Sequence, residues 1–230
     1  MNLNDLLGLY YVYDYRTRTH SQNYILEIFT ASNNKIEFIL QMTASGNFGS
    51  TGIIWKGTCT LKNNHLILEA IEENDWRFTA VQEEKEENIY KTYKSFEVEV
   101  VKESDNIILI MALYERTIKL IKLNKNIDKE KLSSIVYWIS HEIIEHYNLR
   151  KNNLEFEPSR FWRITNLLLT CFNDVNVDGN DAIEIVCEYD LELVKEEKRV
   201  IENDEILGEH HIDKAIFNKN YKILDYKILE

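Results

Sequence analysis

The amino-acid sequence predicts an α+β protein, with an N-terminal antiparallel β-barrel or sandwich of eight to nine strands followed by a smaller α+β region of two helices and two to three strands. Three observations carry this expectation. Short runs with alternating apolar residues fill the first half of the chain, separated by polar turns. After Asn126 the apolar period changes from two to that of a helix. Charge changes at the same place: residues 1–125 hold 14 basic and 17 acidic side chains, and residues 126–230 hold 13 and 22. A β domain over 1–125 and an acidic α+β domain over 126–230 follow.

Within the β half, Tyr11, Tyr13 and Tyr15 alternate near the start. The runs 24–29 and 35–42 flank Ala31, Ser32, Asn33 and Asn34, a hairpin turn. The runs 52–62 and 65–71 flank Asn63 and Asn64, a second hairpin. Trp76, Phe78 and Ala80 alternate next, then Phe96, Val98 and Val100, whose run turns through 103–106 into 107–113. A last run, 117–123, ends the half. In the second half, Asp128 caps a helix reaching about Leu149, with Leu132, Ile135, Val136, Ile139, Ile143 and Tyr147 as its stripe. Pro158 suits the first turn of a second helix to about Phe172, with Phe161, Ile164, Leu168, Cys171 and Phe172 on one side. Strict alternation then returns. Ile183, Ile185, Cys187, Tyr189, Leu191 and Leu193 share one strand face, and Glu184, Val186, Glu188, Asp190 and Glu192 share the other. The polar stretch 195–210 reads as helix or loop, and 221–229 as a closing strand.

With 44% apolar residues in 230, the chain can bury a substantial core. Its N-terminus lacks a basic region and a small-residue cleavage site, and Asp5 and Asp14 interrupt the apolar stretch, so neither a signal peptide nor an anchor is expected. Cys59, Cys171 and Cys187 are odd in number, form no CxxC pair and lie among apolar neighbours, which points to reduced thiols and a cytoplasmic location. Net charge is −12, and the segment 174–209 alone holds 13 acidic against three basic residues. Such a concentration repels nucleic acid and anionic membrane and attracts a basic protein.

Gly8, Leu9 and Tyr10 at the first strand, and Arg116 opening the last strand of the β half, carry a family likeness. Over about residues 5–124 the chain resembles the lipocalin-like (calycin) β-barrels, in which a G-x-W element is covered by an Arg from the last strand; here Tyr10 replaces the Trp. The resemblance implies carriage of a small apolar ligand in the barrel, with Tyr10, Trp55, Trp76 and Arg116 as its contacts.

Several constellations bear on chemistry. His141 and His146 flank Glu145, but five residues separate them, placing them about 140° apart on a helix, so they cannot grip one zinc ion. Asp174, Asn176 and Asp178, followed by Gly179, match the opening of a calcium loop. The bidentate Glu due at its twelfth position is replaced by Ile185, so the competing reading is a turn built from Asn, Asp and Gly. The glycine-rich stretch 43–52 lacks the Lys and the following helix of a phosphate cradle and reads as a hairpin. His210 and His211 read as a polar surface loop. No nucleophile elbow or base is recognisable, so no catalytic residue is assigned.

The acidic strand face has most functional content. Like charges on one face repel, so they are there either to guard a sheet edge or to dock a partner. The expectation is a non-enzymatic binding protein that docks a basic partner through Asp181, Glu184, Glu188, Asp190 and Glu192, as an immunity or inhibitor protein covers a basic toxin. The competing expectation is the small apolar ligand in the barrel. No cofactor is expected beyond a Ca²⁺ ion at 174–178.

Overall fold

The computed structural model describes residues 1–16, 20–46, 49–79, 84–103, 106–113, 116–123, 127, 129–146, 160–195 and 207–229. It comprises two compact units, one formed by Met1–Val12 with Ser21–Leu123 and the other by Tyr13–His20 with Asn124–Glu230.

The first unit is built from β1 (Gly8–Arg16, of which residues 8–12 belong here), β2 (His20–Thr30), β3 (Ile36–Gly46), β4 (Gly49–Lys62), β5 (His65–Thr79), β6 (Glu84–Lys91), β7 (Ser95–Glu103), β8 (Asn106–Leu113) and β9 (Arg116–Lys122). Eight of these pair in the order β1-β2-β3-β4-β5-β7-β8-β9, and β9 returns to β1 through Tyr10↔Lys122 and Tyr11↔Ile121. The result is a closed antiparallel barrel, with β6 paired to the far part of β5 outside the ring. The hairpins form where the sequence places turn residues. Asn63 and Asn64 both take positive φ, 47° and 63°, the signature of a two-residue type I′ turn, and Asn34 has φ 62°.

Side chains fill the barrel interior. Leu40, Trp55, Phe38, Leu66 and Leu68 are each at most 1% exposed, as expected of eight strands, which enclose just enough space for their own residues. A 3-10 turn at Leu3–Leu6, held by the reciprocal Asn2–Asp5 capping box, buries Leu6 fully. Close backbone approach shapes one wall. The β4–β5 register shifts between Lys56 and Gly57, leaving Ile71 as the extra residue, and a Cβ at Gly57 would lie 1.9 Å from the Glu69 carbonyl oxygen.

The second unit contains α1 (Lys129–His146) and four strands, β10 (Arg160–Val177), β11 (Asn180–Lys195), β12 (Leu207–Asn218) and β13 (Ile223–Ile228). They form an antiparallel meander, and residues 13–16 of β1 add a strand beside β10 through Tyr13↔Leu167 and Arg16↔Arg163. The helix buries Leu132, Ile135, Val136, Ile139 and Ile143. Ser140 sits among them because its hydroxyl donates to the Val136 carbonyl at 2.7 Å. Lys131 Nζ stands 5.8 Å from the centre of the Tyr221 ring, in the β12–β13 connection. Asp128 and Tyr147, the expected cap and last stripe residue of this helix, lie outside the described residues.

This architecture corrects the expected α+β class. The protein is predominantly β, with α1 the one helix among the described residues. The second helix expected over 158–172 is the strand β10. Two irregularities explain the misreading. Between Thr165 and Leu168, and again between Leu169 and Cys171, the β10–β11 register shifts, and Asn166 adopts φ 52°. Each bulge changes the phase of a period-two pattern, so Ile164, Leu168, Cys171 and Phe172 fall at helix-like spacing although the backbone is extended. The polar stretch 195–210 likewise hides the start of β12, whose inward positions include His211 and Asp213 rather than aliphatics. Where two to three strands were expected, the described residues of this region form four.

Gly57→Ala is expected to destabilise the protein by about 1–3 kcal/mol or more, because the added methyl meets rigid backbone. Urea unfolding followed by tryptophan fluorescence and far-UV circular dichroism measures it; an unchanged midpoint would contradict the close approach of β4 and β5.

Candidate functional site

The alternation of β11 divides its side chains as the sequence implies. Ile185, Cys187, Tyr189 and Leu191 are at most 2% exposed on the inner face. On the outer face the carboxylates do not form a bare row. Lys214, from β12, reaches Glu184 at 2.9 Å, and Asn173 Nδ2, from β10, donates to it at 3.2 Å. These hydrogen bonds outweigh desolvation and hold the Glu184 carboxyl below its ordinary range. Asp190 accepts from Asn166 Nδ2 at 2.8 Å and contacts His210 Nδ1 at 3.0 Å. Asp181 pairs with Lys219 at 2.6 Å, but both are about 70% exposed, so the pair adds little stability. The Glu192 side chain lies outside the described residues; its backbone pairs with Arg163 and Gly208.

Glu188 differs from its neighbours. It is half-buried and its register partners are Leu168 on β10 and Ile212 on β12, both apolar and half-buried. No basic side chain among the described residues pairs with it. On the same face Glu188 lies between the Glu184–Lys214 ion pair and the Asp190–His210 hydrogen bond, framed by aliphatics. Since β11 is hydrogen-bonded on both sides, its charges do not guard a sheet edge.

Of the residues expected to line a ligand site in the barrel, Tyr10 and Trp55 lie in the core and Trp76 on the other face of the wall. Tyr10 is fully buried and donates its hydroxyl to the Leu6 carbonyl at 3.0 Å. Trp55, 1% exposed, donates Nε1 to Glu73 at 2.8 Å and packs edge-on against Phe96. Lys94 completes that group, 2.6 Å from Glu73. Burial works to raise the Glu73 carboxyl, but the hydrogen bonds from Lys94 and Trp55 prevail and lower it. Trp76 sits on the opposite face of β5, its ring against Gly52, where a Cβ would come within 2.7 Å of it. The Arg116 side chain lies outside the described residues. The basic residue of β9 facing Tyr10 is Lys122, whose Nζ donates to the Asp5 carbonyl at 2.7 Å.

At the proposed calcium loop, Asp174 and Asn176 belong to the end of β10, and Asp178 with Gly179 forms a hairpin turn, φ 51° and 82°. Asn176 Oδ1 accepts from the Gly179 N–H at 2.9 Å, serving the turn itself. Among the described residues no group of three His, Cys, Asp or Glu side chains is placed to hold a metal ion. His210 and His211 lie on a strand rather than in a loop and point to opposite faces, His210 to Asp190 and His211 onto the Tyr189 ring, 5.4 Å between centroids.

One cluster escaped the sequence reading. Asp213 is fully buried, and its Oδ2 accepts from the Tyr189 hydroxyl at 2.6 Å and from the Tyr226 hydroxyl, while its Oδ1 has no partner. Cys187 Sγ lies 3.6 Å from the Asp213 carbonyl oxygen. Tyr189 reads as a core residue in the alternation, and Asp213 sits in a polar stretch; only the β11–β12–β13 register brings the three together. Burial, reinforced by these neighbours, raises the Tyr226 hydroxyl and the Cys187 thiol well above their ordinary values.

Among the described residues no helix is long and apolar enough to cross a membrane, and all three cysteines are free thiols.

Two expectations follow. Tyr189→Phe removes a donor from a buried carboxyl and should cost about 1–3 kcal/mol in urea unfolding; a neutral substitution would show that the hydroxyl does not hold Asp213. Burial also lifts the Cys59 thiol from 9.0 to about 11. A group whose folded value is raised in this way keeps its proton while the unfolded chain loses it. Stability should therefore hold below about pH 9 and decline toward pH 11, and Cys59→Val should flatten that decline, as urea midpoints across the range can test.

Comparison of the chain with protein-family models, with curated proteins and with solved structures finds no match, so its own geometry carries the functional argument.

Proposed function

We propose that this chain is a non-catalytic binding protein whose second unit docks a basic partner protein on the outer face of β10, β11 and β12, in the manner of an immunity or inhibitor protein that covers a basic toxin. The observation that carries this reading is Glu188, half-buried between Leu168 and Ile212 with no cation beside it among the described residues. A partner's Arg or Lys supplies the missing charge there, and the surrounding aliphatics lower the local dielectric, so the pair would act as an anchor. The internally compensated Glu184–Lys214 and Asp190–His210 groups serve as a polar rim that fixes register. The negative charge of residues 126–230 steers such a partner from a distance.

The closed barrel of the first unit is compatible with a lipocalin-like one, which would suit a small apolar ligand. The inward packing of Tyr10 and Trp55, each already hydrogen-bonded within the protein, weighs against that role.

The test compares wild type with Glu188→Lys, immobilised side by side and exposed to protein from the native source at low and high salt. A basic protein retained by wild type, released by salt and weakened at least about tenfold by Glu188→Lys is expected. Retention that ignores both salt and the substitution would defeat the reading.

A further inference from the structure

The strand β13 has one neighbour, β12, and among the described residues no strand pairs with its other edge. Open edges of this kind are templates for another chain, and proteins usually blunt them. Here the polarity of that edge can be derived. The Leu229 N–H donates to the Ile212 carbonyl at 3.0 Å. Antiparallel ladders alternate, so Lys227 and Leu229 direct their backbone groups to β12, while Tyr226 and Ile228 direct theirs outward. Consistent with this, the Tyr226 N–H donates to the carboxylate of its own neighbour, Asp225 Oδ1, at 3.0 Å.

The side chains along the strand read Leu224, Asp225, Tyr226, Lys227, Ile228: apolar, acidic, aromatic, basic, apolar. Reversing this order exchanges acid with base and leaves the apolar positions apolar. Two antiparallel copies centred on Tyr226 therefore set Asp225 opposite Lys227 twice across a two-fold axis, with Leu224, the residue skipped by the β12–β13 register, beside Ile228 at each end. The groups involved are available. Leu224 is 51% and Ile228 37% exposed, and Asp225 and Lys227 meet only as an exposed pair at 3.3 Å within the strand. Tyr226 is anchored through its hydroxyl to Asp213, so the centre of the edge is held in place before a second strand arrives. Among the described residues β6 also has an unpaired edge, and it carries Lys85, Glu86 and Glu87, the ordinary guard of such a strand.

From this complementarity we infer that two copies of the chain associate by antiparallel pairing of β13 about Tyr226, continuing the second unit's sheet across the two-fold axis. On association the Asp225 carboxylate exchanges the Tyr226 N–H for Lys227 of the second copy, and the freed N–H bonds to the facing Tyr226 carbonyl. This inference is independent of the docking role of Glu188.

Sedimentation velocity of the full chain over a wide concentration range tests it, with Asp225→Lys, Lys227→Asp and the double exchange as variants. Wild type is expected to form dimers. Each single variant converts two attractive contacts into two repulsive ones and should weaken association by about tenfold or more. The double exchange restores opposite charges and should recover the wild-type association. A wild type that stays monomeric at all concentrations overturns the inference, as do single variants that dimerise normally or a double exchange that fails to recover. If a single variant loses its far-UV circular dichroism spectrum, Ile228→Glu, at an exposed apolar contact, gives the same reading: loss of dimer supports β13 pairing and an unchanged dimer refutes it.

Discussion

The ladder between β10 and β11, running from Arg160↔Lys195 to Val177↔Asn180, determines which face of the second unit each charged group of β11 occupies. Because side chains alternate along a strand, register is all that separates a buried group from an exposed one. The two shifts in β10 bring Leu168 opposite Glu188 and Asn166 within reach of Asp190. Without them the outer carboxylates would face a different set of neighbours. The site is a consequence of pairing geometry rather than of any local motif.

The same ladders explain how so acidic a strand sits in the middle of a sheet. Lys214 and His210 come from β12, and Asn173 and Asn166 come from β10, so compensation is cross-strand on both sides. Like charges at alternate positions on one strand repel, and opposite partners beside them offset that repulsion. Among the described residues Glu188 is the exception, with apolar register partners, Leu168 and Ile212, on both sides. The inner face holds the converse arrangement, with the buried Asp213 carboxyl satisfied on one oxygen by two tyrosines instead of by a charge.

In the first unit, ring closure through Tyr10↔Lys122 leaves no free edge along the barrel, and the interior is packed with large residues. Trp55 and Glu73, which could have served a ligand, instead satisfy each other and Lys94. The aromatic residues of this half are therefore structural where they are buried, and Trp76, against Gly52, belongs to the other face of the wall.

Much of this was legible in the chain itself. The hairpin at Asn63–Asn64 follows from residues that tolerate positive φ, and the division of β11 into an apolar and an acidic face follows from strict alternation; at Asp178–Gly179 the turn was legible but not the hairpin, because the strand before it read as a helix. Helix α1 follows from its stripe of Leu132, Ile135, Val136, Ile139 and Ile143. What the sequence could not settle is whatever depends on a partner strand. The bulges of β10 disguised a strand as a helix, since local spacing carries no information about which residues of a neighbour are skipped. The pairing of Glu184 with Lys214 and the meeting of Asp213 with Tyr189 and Tyr226 join residues 13 to 30 positions apart; they exist only once register is fixed. By itself the sequence determined where the charge lies. The tertiary structure decided which of those charges are already answered, because compensation is a matter of distance across strands and not of order along the chain.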